Sequence, residues 1–103
     1  MTNQTPVDFL TALITEASGR EGLRVTPPTK LGNATGMSCQ SAARELSVTL
    51  EHAASPATLT LFDPGHPGDC FRFTWSGGGW RSPVGVLSNE TLARFCCASL
   101  VEL

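Results

Sequence analysis

Three short runs alternate apolar and polar residues with a period of two, and they constrain the fold more than any other feature of the chain. In "ELSVTLE", Leu46, Val48 and Leu50 alternate with Ser47, Thr49 and Glu51. In "ATLTLFD", Leu59 and Leu61 stand against Thr58 and Thr60. In "CFRFTW", Phe71, Phe73 and Trp75 stand against Arg72 and Thr74. Successive side chains of a strand point to opposite faces, so each run predicts a strand with one buried and one solvated face. Pro56 and the segment "DPGHPGD" supply turn chemistry between the runs, and such short connections favour antiparallel neighbours.

Helical periodicity flanks the runs. In "TPVDFLTALITEASG", Val7, Leu10, Leu13, Ile14 and Ala17 recur at helical spacing, with Thr5 as N-cap, Pro6 at the first position and Gly19 as C-cap. In "SNETLARFCCASLVEL", Ser88 is the expected N-cap, and Leu92, Phe95, Cys96, Ser99, Leu100 and Leu103 form one stripe. Cys96 and Cys97 lie about 100° apart on such a helix, so the stripe buries only Cys96 squarely. Between the first helix and the alternating runs, "LRVT" predicts a short strand ended by Pro27-Pro28. A structureless connection over residues 27–45 would be unusual in a compact domain, so a short helix is expected near "SCQSAARE". Together these features predict an α+β fold: an antiparallel three- to four-stranded sheet with N-terminal and C-terminal helices packed on one face, in a single domain over residues 1–103.

The run "SGGG" separates Trp75 from Trp80. A phosphate-binding loop of the Walker type needs Gly-Lys-Ser/Thr after its glycines, and a dinucleotide fingerprint needs glycines opening a helix. Here Trp80, Arg81 and Pro83 follow, so the run reads as a hairpin loop that brings the two tryptophans together.

Charge restricts the partners. The net charge is −2, with seven Lys and Arg against nine Asp and Glu. No cationic cluster of the kind that displaces counterions from nucleic acid is present. The order helix–strands–helix is shared with double-stranded RNA binders, but the last helix carries only Arg94 as a cation. No segment reaches the roughly twenty apolar residues that span a bilayer, and "MTNQTPVDFL" lacks the basic and apolar regions of a signal peptide. The expectation is a cytoplasmic protein with Cys39, Cys70, Cys96 and Cys97 reduced, no nucleic-acid partner and no membrane.

Chemistry-bearing residues are sparse. On the expected helix, Cys39 would sit at the N-terminus, where the dipole lowers a thiol pKa, with His52 or His66 as base. The stretch "PGDCFRF" resembles the strand that follows a Pro-Gly-Asp turn in the NlpC/P60 cell-wall peptidases, and "SPVGVLSN" is similar to their histidine strand. The resemblance implies a papain-like thiol peptidase, but Pro83 stands where the histidine would. Asp63, His66, Asp69 and Cys70 are all ligand types, yet they lack a second Cys or His pair and read as a turn, so no metal and no cofactor is expected. The polar sheet face offers another surface, with Phe62, Arg72 and Arg81 as binding anchors and Trp75 and Trp80 at the hairpin. The reading that follows is a small non-catalytic protein-binding module, an inhibitor or adaptor acting on a larger assembly. By size and composition it is similar to anti-CRISPR and immunity proteins, accessory proteins of phages and mobile elements. Its partner is another protein, with a homodimer through a sheet edge as a further arrangement. The alternative is a minimal cysteine-dependent hydrolase that uses Cys39 with a histidine.

Overall fold

The computed structural model describes residues 5–53, 56–65, 68 and 70–101. Its elements in chain order are α1 (Asp8–Ser18), β1 (Arg24–Val25), β2 (Thr29–Leu31), β3 (Ala34–Gln40), β4 (Glu45–Glu51), β5 (Thr58–Phe62), β6 (Cys70–Ser76), β7 (Gly79–Ser82), β8 (Gly85–Leu87) and α2 (Asn89–Val101). This is an α+β fold with a helix near each end of the chain. The sheet is antiparallel and, among the described residues, has eight strands, not three or four. From β3 to β8 it is a meander in which each strand pairs with the one before it, while β1 and β2 lie along the outer side of β3.

The extra strands come from two places. Residues 34–40 form β3, not the expected helix: Thr35, Met37 and Cys39 are buried while their neighbours are half-exposed. Gly32 and Asn33 close the β2–β3 hairpin, with Leu31 opposite Ala34 and Gly32 at φ +67°, the sign a type II′ turn requires at its first central residue. At the other end, the strand expected from Trp80 forms as β7, and β8 continues the sheet beyond it. Ser76 pairs with Gly79 across Gly77 and Gly78, whose φ values of +66° and +82° fit a type I′ turn.

Register fixes which residues share a face. Met37, Val48, Leu61 and Phe71 are mutual neighbours across four strands, as are Leu50, Leu59 and Phe73. Trp75, Trp80 and Leu87 continue the same face across β6, β7 and β8. Residues from both helices join this face in one apolar cluster. The ring of Phe9 on α1 meets Trp80 edge-on at 6.2 Å, and Trp80 meets Trp75 edge-on at 5.0 Å. Each fully buried Leu or Phe here removes apolar area worth about 1.5–3 kcal/mol.

Gly19 is the C-cap of α1 as expected, but the start of that helix departs from the sequence pattern. α1 begins at Asp8, with Val7 as its N-cap residue and no side-chain cap; the Asp8 carboxylate instead accepts the Thr5 N–H at 2.9 Å. Its buried stripe is Phe9, Leu10, Leu13 and Ala17, and Val7 stays exposed. Ser88 caps α2 as expected, its hydroxyl accepting the Thr91 N–H at 3.1 Å. The buried residues of α2 are Leu92, Ala93, Cys96, Cys97 and Leu100, so Phe95 and Ser99 drop out of the core stripe. No helix among the described residues is long and apolar enough to cross a membrane.

Candidate functional site

Among the described residues, the alternative thiol arrangement of Cys39 with His52 is not brought together. Cys39 lies inside β3 opposite Leu46 and is fully buried, so it has neither a helix dipole nor access for a substrate. His52 follows β4 in an exposed turn, its Nε2 3.4 Å from the Thr35 hydroxyl. Thr35 and Cys39 are four residues apart on one strand, which places them about 13 Å from each other. His66 lies outside the described residues. What Cys39 does meet is Cys97 on α2. The Cys97 thiol donates to the Cys39 sulfur, which draws Cys39 below its ordinary pKa against the effect of burial. That hydrogen bond to Cys39, together with burial, holds Cys97 well above its own. Burial likewise pushes Cys96 up to about 12. Cys96 and Cys97 are packing thiols in the sense that their protonated form is the one the core accommodates.

The expected binding residues divide between the two faces of the sheet. Phe62, Arg72 and Arg81 share the polar face. Phe62 lies opposite Ser47 and Cys70, Arg72 opposite Thr60, and Arg81 opposite Thr74. Arg72 and Arg81 are exposed diagonal neighbours on β6 and β7, and neither forms an ion pair among the described residues. Phe62 is half-buried there. Trp75 and Trp80 point to the opposite face. Trp80 is 0% exposed, and its indole N–H donates to Asn89 Oδ1 at 2.8 Å, so it is a core residue and cannot anchor a partner.

The surface that stands out belongs to two phenylalanines that the periodicity assigns to the core. Phe71 on β6 is 58% exposed and Phe95 on α2 is 68% exposed. They flank a groove of about 260 Å³ whose remaining apolar walls are Leu46, Leu61 and Cys96. One end is closed by Arg44 and Asp63. The Arg44 guanidinium bonds the Asp63 carboxylate at 3.1 Å and donates to the Ser99 carbonyl at 3.2 Å, while Asp63 also accepts the Gly65 N–H at 2.9 Å. Their charges cancel, so the groove is electrically neutral. A signal for this site was present in the sequence. The run after the glycine turn is only four residues long before Pro83, against seven in β6, so the first half of β6 must lack a neighbour on one side.

No protein-family model matches the chain, and neither a curated protein nor a solved structure matches it.

Proposed function

We propose that this chain is a small non-catalytic protein-binding module, an inhibitor or adaptor that docks on a larger protein through the groove between Phe71 and Phe95. In this reading both helices cover one face of the sheet and the polar face stays open. The observation that carries it is the pair of exposed aromatic rings over a preformed apolar groove. A Phe side chain accounts for about 150–250 Å² of surface, so the two rings leave roughly 250 Å² of aromatic area in water. Burying that area is worth about 6 kcal/mol before ordering costs. A standard interface covers about 800 Å² per partner, so the rings form the centre of a contact and not its whole extent. The polar face, with Phe62, Arg72 and Arg81, adjoins the groove around β6 and is the natural rim. The four free thiols suit a reducing compartment such as the cytoplasm.

The test is affinity capture from lysate with the wild-type chain beside a Phe71→Ser/Phe95→Ser variant. Both side chains are exposed, so the variant is expected to melt within a few degrees of the wild type. A partner held near stoichiometrically by the wild type and lost by the variant is the expected result. Identical capture by the two chains, or no partner for either, would contradict the reading.

A further inference from the structure

Among the described residues, half of one strand in this sheet has a neighbour on one side only. β6 runs from Cys70 to Ser76, but its pairing with β7 begins only at Thr74. Continuing the register of Thr74 with Arg81 would set Pro83 opposite Arg72. Proline has no N–H to give a ladder, so β7 stops at Ser82 and the chain turns back into β8. The Ser82 hydroxyl holds that turn, donating to the Gly85 carbonyl at 2.9 Å and accepting the Val84 N–H at 3.2 Å. No described strand pairs with the outer side of Cys70 to Phe73. Antiparallel ladders alternate in the direction of their hydrogen bonds. The Trp75 N–H bonds the Ala57 carbonyl on the β5 side, so the odd-numbered residues of β6 bond towards β5. The N–H and C=O of Arg72 therefore point to the open side.

We propose that an extended segment of a partner protein adds as a strand along Cys70–Phe73, with side chains that alternate between apolar and acidic. This inference rests on the protein-binding reading and names the occupant of the same site. Side chains opposite Phe71 and Phe73 fall on the apolar face, where the first enters the groove against Phe95 and Leu61. That groove is neutral, so a charged side chain entering it would lose its hydration without a partner. The side chain opposite Arg72 falls on the polar face. There Arg72 is exposed and without an ion pair among the described residues, and Arg81 stands diagonally beside it on the same face. Aspartate or glutamate fits that position. The same charges argue against a second copy of this chain, because pairing two such edges about a twofold axis sets Arg72 opposite or diagonal to its own counterpart. Backbone bonds supply affinity and the alternating side chains supply specificity, as in other strand-addition complexes.

The experiment selects a random decapeptide display library against the whole chain, then measures the enriched peptides on the wild type, on Phe95→Ser and on Arg72→Glu. The enriched peptides are expected to share an apolar–acidic–apolar alternation. Their affinity should fall at least tenfold on each variant, and selection on Arg72→Glu should return lysine or arginine at the acidic position. Amide exchange of Arg72 should slow when peptide is added. Enrichment of no peptide, or of peptides indifferent to both variants, would overturn strand addition, as would an unchanged Arg72 amide. Peptides that bind but are indifferent to both variants and leave the Arg72 amide unchanged would keep a protein-binding module while removing this edge as its site. Slowing of the Arg72 amide by concentration alone, without peptide, would put a second copy there and overturn the proposed partner.

Discussion

Cys96 and Cys97 are consecutive on α2, yet both are essentially unexposed. A helix that packs on one neighbour buries one stripe. This one contacts α1 along its length and also reaches β4 and β7, so its buried arc is wide enough to take both thiols. The neighbouring residue that the arc excludes is Phe95. Burial makes the thiols proton-linked to folding. Cys96 has a pKa of about 12 in the folded chain against 9.0 for the ordinary thiol. Between those values the unfolded state holds fewer protons, so stability falls as pH rises, by up to about 1.4 kcal/mol per pH unit for one thiol. The chain has no tyrosine, and Lys30 is its one lysine, so few other groups titrate in that range. Under reducing conditions the melting temperature should drop steadily as pH rises above about 9, and Cys96→Ala should make the drop shallower. Parallel slopes for the two proteins would refute the linkage. Asn89 is the polar counterpart of these residues. It is fully buried, accepts from Trp80 and donates its amide to the Thr5 carbonyl at 3.1 Å, tying the start of α2 to β7 and to the segment before α1. Leaving the indole N–H unpaired would cost about 1–3 kcal/mol.

At the scale of elements, the close approach of β8 to β7 depends on a missing side chain. A Cβ on Gly79 would stand 2.5 Å from Val86 Cγ1 and 2.8 Å from the Leu87 carbonyl oxygen. The carbonyl is backbone and cannot swing aside, so Gly79→Ala should push β8 off the sheet and cost about 1–3 kcal/mol. For a chain of this size that is a melting-temperature loss of about 4 °C or more. At Gly36 the nearest atom is Leu31 Cδ1 at 2.7 Å, the end of a flexible side chain, so Gly36→Ala should cost less. Thermal melts of the two variants side by side decide the point, and equal losses would contradict it. The same comparison shows what the sequence makes legible. β4, β5 and β6 were readable because leucine and phenylalanine alternate with threonine and arginine in them. β3 alternates too, but its inward positions are Thr35, Met37 and Cys39 and its outward ones include Gly36 and Ser38, so polarity barely changes along it. The glycine turn and the closeness of Trp75 to Trp80 were legible. The exposure of Phe71 was not read from its strand, because a residue's phase says which face it joins and not whether anything covers that face. The helix stripe misled in the same way at Phe95.

Across the whole molecule, buried residues of both helices and of the sheet share one apolar cluster, and Phe71 and Phe95 stand outside it in solvent. There the last full row of the meander runs out of strands. The open backbone of β6, the neutral groove and the exposed Arg72 all meet at that place. The account's central claim is that this corner is where another protein binds. Hydrogen exchange of the chain, free and in complex with the partner it captures, tests that claim most directly. Slowed exchange concentrated in residues 70–75, with a weaker effect in residues 92–99, is the result the account predicts. Protection concentrated instead in α1, or along β1 and β2 at the opposite edge, with residues 70–75 unchanged, would contradict it.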